Sequence, residues 1–376
     1  MKPYPRARRA PAPNFPFRRT SQPKRILPAL ILASAAGCLF GCGVQGTPHP
    51  PRLEQPAKIT NLSAVQIGQS LEMHFSLPQQ TTDGERLSKP LEVEILRAVA
   101  PQGTGIAKLE PEVWMRLTRD EWSPYAQENN VAYSAHLTER EFHDWRGQTL
   151  VVAVRTLTRG FRHRPLESDL SNFVDVPIYD VSEPVGGVNC VVTEKAVEVQ
   201  FSPPTRALSG EPIHDLAGYR IYRSSTGQAG SFELLGETPT SPYRDSQFEF
   251  GHVYFYQVRA VFGMPGHLAM SDASPAIKKT PVDIFPPAPP VDLSGTYSAG
   301  AVELVWTANT EADLAGYNVY RLDNQTAQRV NTKLLPSPVF RDTSAAPGKT
   351  LIYYVTAVDL SGNESKPSKK EEVETK

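Results

Sequence analysis

"DLAGYRIYRSS" (Asp215–Ser225) and "DLAGYNVYRLD" (Asp313–Asp323) nearly repeat each other 98 positions apart. Such a repeat is either chemistry used twice or one strand of a module that occurs twice. After the shared glycine the residues alternate in the period-2 manner of a strand. Tyr219, Ile221 and Arg223 then share one face, and Arg220 and Tyr222 the other. Ile221 and Val319 mark the core face of their strands.

Working outward, three alternating runs each end in an aromatic: "LEMHF" at Phe75, "VEVQF" at Phe201 and "VELVW" at Trp306. Thirteen residues before each aromatic stands an apolar residue, Leu62, Val188 or Leu293. "LEVEILR" ends at Arg97 and "YRIYR" at Arg223, each 22 residues past its aromatic, whereas the third copy reaches Arg321 after 15. A connecting loop tolerates that deletion and a strand does not. Gly147, Gly251 and Gly348 each precede a valine by seven residues, in runs rich in β-branched and aromatic side chains. The repeated unit is thus a module of several short strands, present three times.

Such modules argue an all-β fold of tandem sandwiches. The details resemble fibronectin type III domains, in which a Trp closes the second strand and a Tyr stands two residues before a Val on the sixth. Trp306, Phe201, Tyr256 and Tyr353 match those positions, and the resemblance covers residues 56 to 372. It implies that Tyr256 and Tyr353 form tyrosine corners, each hydroxyl bonding nearby backbone. The first copy departs most: Val152 replaces the corner Tyr, and an extra stretch follows its third strand.

The chain has 376 residues and a net charge of −1, but residues 1 to 41 hold eight Lys or Arg and no acid, leaving about −9 on the rest. The basic head precedes an apolar run, Ile26 to Phe40, in the order of a secretory signal. "LFGC", ending at Cys42, resembles a bacterial lipobox, with "AAGC" at Cys38 the competing site. That resemblance implies a lipid-anchored extracytoplasmic protein. Gly43 after the lipid cysteine favours the outer membrane. The expected organisation is a signal over 1–41, a Pro-rich tether over 42–55, a divergent module over 56–180, and two further modules over 181–282 and 283–376. Cys190, left without a partner, reads as a buried inert thiol.

Little chemistry remains once the framework is removed. The eight histidines show no zinc-binding i, i+4 pair, and no phosphate loop or nucleophile elbow occurs. Neither a metal nor another cofactor is expected, nor a catalytic residue. "EREFHDW" (Glu139–Trp145) places acids beside His143 but reads as a solvated loop, and Asp359, Ser361 and Asn363 of "DLSGN" read as a turn rather than a calcium loop. Basic "TRGFRHRPLES" reads as a hairpin tip with solvated arginines, the alternative being a polyanion contact. In the first copy's insertion, Trp114 and Tyr133 read as core; Trp122, in polar surroundings, reads as exposed and with Tyr125 as a candidate ligand contact. The expected function is a non-catalytic scaffold or spacer at the cell envelope, with the membrane and an envelope protein as partners and no nucleic acid. The alternative is a carbohydrate-binding accessory protein using the first copy's aromatics.

Overall fold

The structure is a computed structural model and describes residues 53–101, 110–323 and 326–376. Cys38, Cys42 and the signal segment lie outside these residues. The first sandwich comprises β1 (Ser63–Ile67), β2 (Ser70–Ser76), β3 (Glu92–Pro101), β4 (Glu112–Leu117), β5 (Ala126–Gln127), β6 (Asn130–His136), β7 (Gln148–Arg159), β8 (Pro165–Glu167) and β9 (Val174–Pro177). Two short helices, α1 (Arg119–Trp122) and α2 (Glu139–Trp145), interrupt it. The second contains β10 (Gly186–Val192), β11 (Val197–Ser202), β12 (Leu216–Ser224), β13 (Glu233–Thr238), β14 (Tyr243–Asp245), β15 (Tyr254–Met264), β16 (His267–Met270) and β17 (Ile277–Lys279). The third contains β18 (Val291–Ser298), β19 (Ala301–Thr307), β20 (Leu314–Asp323), β21 (Thr326–Arg329), β22 (Val339–Asp342), β23 (Thr350–Asp359) and β24 (Glu371–Glu374).

In the third sandwich β18-β19-β22 faces β21-β20-β23-β24; the second repeats the plan, with β10-β11-β14 opposite a sheet built on β13-β12-β15. This is the all-β, tandem fibronectin type III-like architecture that the repeated strands imply. Alternation dictates which side is core. Along β11 Val197, Val199 and Phe201 are buried between half-buried neighbours, and along β19 Val302, Leu304 and Trp306 are buried between exposed ones. Each fully buried branched side chain, such as Ile221 or Val319, stabilises its module by about 1.5–3 kcal/mol. Three separate cores result, from Ile59 to Ile178, Val181 to Ala269, and Val302 to Val373.

The strand registers superimpose the copies. Arg97, Arg223 and Arg321 stand opposite Val152, Tyr256 and Tyr353. The tyrosine corner expected at Tyr256 and Tyr353 takes another form: each hydroxyl donates 2.8 Å to a buried carboxylate, Asp245 or Asp342, and not to backbone. The same carboxylate oxygens accept Arg223 at 2.8 Å and Arg321 at 2.6 Å. In the first sandwich, where Val152 offers no hydroxyl, Arg97 instead meets Glu141 of α2 at 2.6 Å between the rings of Trp114 and Trp145.

The first two sandwiches share a sheet. β1 pairs in parallel with β16, Gln66 opposite Ala269 and Ile67 opposite Met270, which makes one nine-stranded sheet. Gln66 is fully buried at this seam. Its amide donates to the carbonyls of Gly68 and Tyr179 at 3.0 and 2.9 Å and accepts the Tyr179 N–H at 2.8 Å. Asp180 adds ion and hydrogen bonds to Arg146 of the first sandwich and Ser209 of the second. Ile178 and Val181, on either side of it, are both fully buried, so no free linker separates these two cores.

Candidate ligand-contact surfaces of the first module

The insertion's aromatics divide. Trp114 and Tyr133 pack on the core as their apolar neighbours suggest. Trp122 does not stand out in solvent as its polar neighbours imply. It is 9% exposed, and its indole N–H donates to the Leu91 carbonyl at 3.0 Å. The cause is local. Thr118 and Glu121 form a capping box that starts α1, and the single helical turn carries the fourth residue inward. Tyr125, three residues on, is 50% exposed and packs edge-on against Tyr133 with centroids 5.3 Å apart.

Beside Tyr125 lies a groove of about 670 Å³. One wall is the half-exposed ring with Pro124. The other is polar: Asn61 donates to the Ser76 hydroxyl at 2.8 Å, and that hydroxyl donates to Asn130 at 2.6 Å. Ring face on one side and fixed amides on the other suit a polyhydroxylated ligand, whose C–H face stacks while its hydroxyls exchange hydrogen bonds.

The acidic segment near His143 is a helix, not a loop. Thr138 caps α2, accepting the Glu141 N–H while Glu141 reaches back to the Thr138 N–H. Both capping boxes are legible in the sequence as Thr-x-x-Glu, at Thr118–Glu121 and Thr138–Glu141. Glu141 is committed to Arg97, and the His143 Nδ1 accepts a hydrogen bond from Arg146 at 2.8 Å, so these groups serve structure. Burial tends to raise the Glu141 carboxyl, but bonds from Thr138 and Arg97 outweigh it and hold it below the usual carboxylate range.

Asp283, Asp313 and Asp359 bring carboxylate oxygens within 4.8 Å of one another. Two of the three are already engaged. Asp359 accepts the Asn363 N–H and side-chain amide at 2.8 Å each, and Asp283 accepts the Ser361 hydroxyl at 2.8 Å. "DLSGN" is therefore a turn tied to the segment before the third sandwich, with Gly362 at φ +88°. Cys190 is buried in the second core, where desolvation pushes its thiol up to about 11. A thiol held protonated is a poor nucleophile.

Comparison with known proteins adds context. A stretch of 167 residues, 43% of this chain, is 32% identical to Exoglucanase B of Cellulomonas fimi, of which it spans 14%. No family model matches the chain. Among solved structures, the chicken CNTN1 FN1-FN3 domains align with 85% of this chain and 99% of theirs, at 14% identity and a TM-score of 0.26. An Fn3-like protein from Clostridium thermocellum aligns with 24% of this chain and 94% of its own, at 26% identity and a TM-score of 0.22.

Proposed function

We propose that the chain is a non-catalytic scaffold of the cell envelope, anchored by lipid at Cys42 and using its tandem sandwiches as a stiff spacer that presents a surface to an envelope protein. The nine-stranded sheet across the first two sandwiches carries this reading, because a shared ladder with a fully buried Gln66 resists bending where a flexible linker would not. Spin labels at Glu139 and Glu233, exposed positions in the first and second sandwiches, test it by pulsed electron resonance. A single narrow distance distribution is expected, broadening in Gln66→Ala, where loss of the amide strands buried backbone groups at a cost of about 1–3 kcal/mol. A broad distribution in the native chain refutes the spacer. Incorporation of a palmitate analogue, abolished by Cys42→Ala, tests the anchor; labelling that persists moves it to Cys38.

A second reading is a carbohydrate-binding accessory role. The Tyr125 groove favours it, and the likeness to part of an exoglucanase is consistent with it. Tyr125 replaces Trp122 as the informative site, since the indole is not available to a ligand. Affinity electrophoresis in gels containing soluble cellulosic or other plant glucans should show retardation that Tyr125→Ala reduces by about tenfold in affinity, as expected for one lost stacking contact. Equal mobility with and without glycan would end this reading.

A further inference from the structure

A second concavity of the first sandwich, on its other sheet, differs in chemistry. It encloses about 570 Å³ between the start of β3, the start of α1 and the end of β7. Its apolar lining is Pro90, Leu91 and Leu157, the latter two buried. Trp122 braces this floor from behind through its bond to the Leu91 carbonyl, which gives the buried indole a purpose. Around the lining, separate elements supply cations: Lys89 before β3, Arg119 at the head of α1 and Arg159 at the end of β7. Arg159 bonds Glu92 at 3.3 Å and Lys89 acts through its charge on the Glu54 carboxylate, whereas Arg119 makes no ion pair among the described residues. The turn after β7 carries two successive non-glycine residues with left-handed backbone, Arg162 at φ 54° and His163 at φ 61°, and His163 also lines the cavity. Asp120 and Glu92 complete the rim.

We propose that this cavity binds an acidic sugar, a hexuronate unit of an oligosaccharide. The volume lies within the roughly 300–1,000 Å³ of small-ligand sites. Lys89, which shares its field with Glu54, and Arg119 are exposed cations on two sides of the cavity that offer charge-assisted bonds to an anionic group. The carboxylates of Asp120 and Glu92 disfavour a ligand that is anionic throughout, such as a polyphosphate, and instead accept hydroxyl donors. A uronate offers both on one ring, and its C–H face fits the apolar lining. The basic turn is therefore one wall of a pocket rather than only a solvated hairpin tip. This site is separate from the Tyr125 groove and does not depend on the glucan reading.

The test uses the whole chain and ligand-observed nuclear magnetic resonance. Digalacturonate is expected to bind, and its dimethyl ester, the same sugar without charge, to bind at least about tenfold more weakly. Raising NaCl from about 0.05 to about 0.3 M should weaken binding, because the contacts are exposed ion pairs. The double variant Lys89→Ala/Arg119→Ala should lose about tenfold or more in affinity with an unchanged melting temperature, both side chains being exposed, while Tyr125→Ala should bind as the native chain does. Absence of digalacturonate binding, equal binding of the ester, or full affinity in the double variant overturns the assignment. Loss in Tyr125→Ala alone would move the ligand to the other groove, and complete displacement by inorganic phosphate would reduce the site to a general anion trap. Either result also overturns it.

Discussion

Replacing Asp342 with alanine is expected to destabilise the third sandwich by about 3 kcal/mol or more, because it strands a cation and a hydroxyl that one buried carboxylate now serves. Asp342 is 3% exposed. One oxygen accepts Arg321 at 2.6 Å and the Tyr353 hydroxyl at 2.8 Å, and the other accepts the Ser344 N–H and hydroxyl at 2.9 and 2.7 Å. Tyr353→Phe removes only one donor and should cost about 1.5–3 kcal/mol. Denaturant unfolding followed by Trp306 fluorescence reads this module, since the other three tryptophans lie in the first. The double variant Arg321→Leu/Asp342→Leu should recover a large part of the loss, as apolar replacements of buried ion pairs do. A cost of Asp342→Ala below about 1 kcal/mol would show that the carboxylate is not the hub of the corner.

The same cluster sets a pH signature. Burial pushes the Asp342 carboxyl up, but the Ser344 hydroxyl, the Tyr353 hydroxyl, the Ser344 N–H and Arg321 together hold it below its ordinary value. The folded carboxylate binds a proton less readily than the unfolded one. Its contribution is therefore present above the unfolded carboxylate pKa of about 3.9 and is lost as pH falls through the lower folded value. At the alkaline side the sign reverses. Desolvation and then Asp342 push the Tyr353 hydroxyl up, so that contribution is complete below the ordinary phenol value of 10.0 and is lost as pH rises towards the folded one. Unfolding of the third module should show both limbs, and Asp342→Asn should flatten the acid one.

Much of this framework is legible in the sequence, since its signals are local and repeated. "VEVQF" and "VELVW" reveal their buried faces by alternation, and the spacing that aligns Arg97, Arg223 and Arg321 predicts residues in equivalent ladder positions. What stays hidden has no local period. The acceptor of each corner tyrosine lies 11 residues before it on another strand, and its arginine partner more than 20 residues before the carboxylate, so only the folded sandwich assembles the three. The parallel pairing of β1 with β16 joins segments about two hundred residues apart and leaves no pattern in either. Trp122 misleads for the opposite reason: its neighbours are polar, but a four-residue helix presents one residue to the core whatever the others are. The cavity beside Lys89 and Arg119 is likewise assembled from three segments, of which only the basic turn stands out in the sequence.

Gly316→Ala should destabilise the third sandwich by about 2–4 kcal/mol, with Gly218→Ala matching it in the second. Both glycines sit at a bulge, where the ladder slips between Leu314 and Gly316 and between Leu216 and Gly218. Their φ values, +154° and +150°, lie in a region that side chains disfavour. Space is the second obstacle. A Cβ on Gly316 would lie 2.7 Å from the Leu335 carbonyl oxygen, and one on Gly218 2.9 Å from that of Thr238. Leu335 cannot simply retreat, because its carbonyl accepts the Tyr317 N–H at 3.0 Å and its own N–H donates to the Tyr317 carbonyl at 3.0 Å. Moving it would also disturb Tyr317, 1% exposed and packed edge-on against Trp306 at 5.2 Å. Gly348→Ala separates the two effects: Gly348 has φ +73° but nothing within 4 Å of its Cβ position, so it should lose only about 1–2 kcal/mol of backbone preference. Equilibrium unfolding of the three variants decides the matter. If Gly316→Ala costs no more than Gly348→Ala, the close approach of Leu335 is not what reserves that position for glycine. If it costs clearly more, the repeated "AGY" is a steric signature, a bulge without a side chain that lets the next tyrosine enter the core.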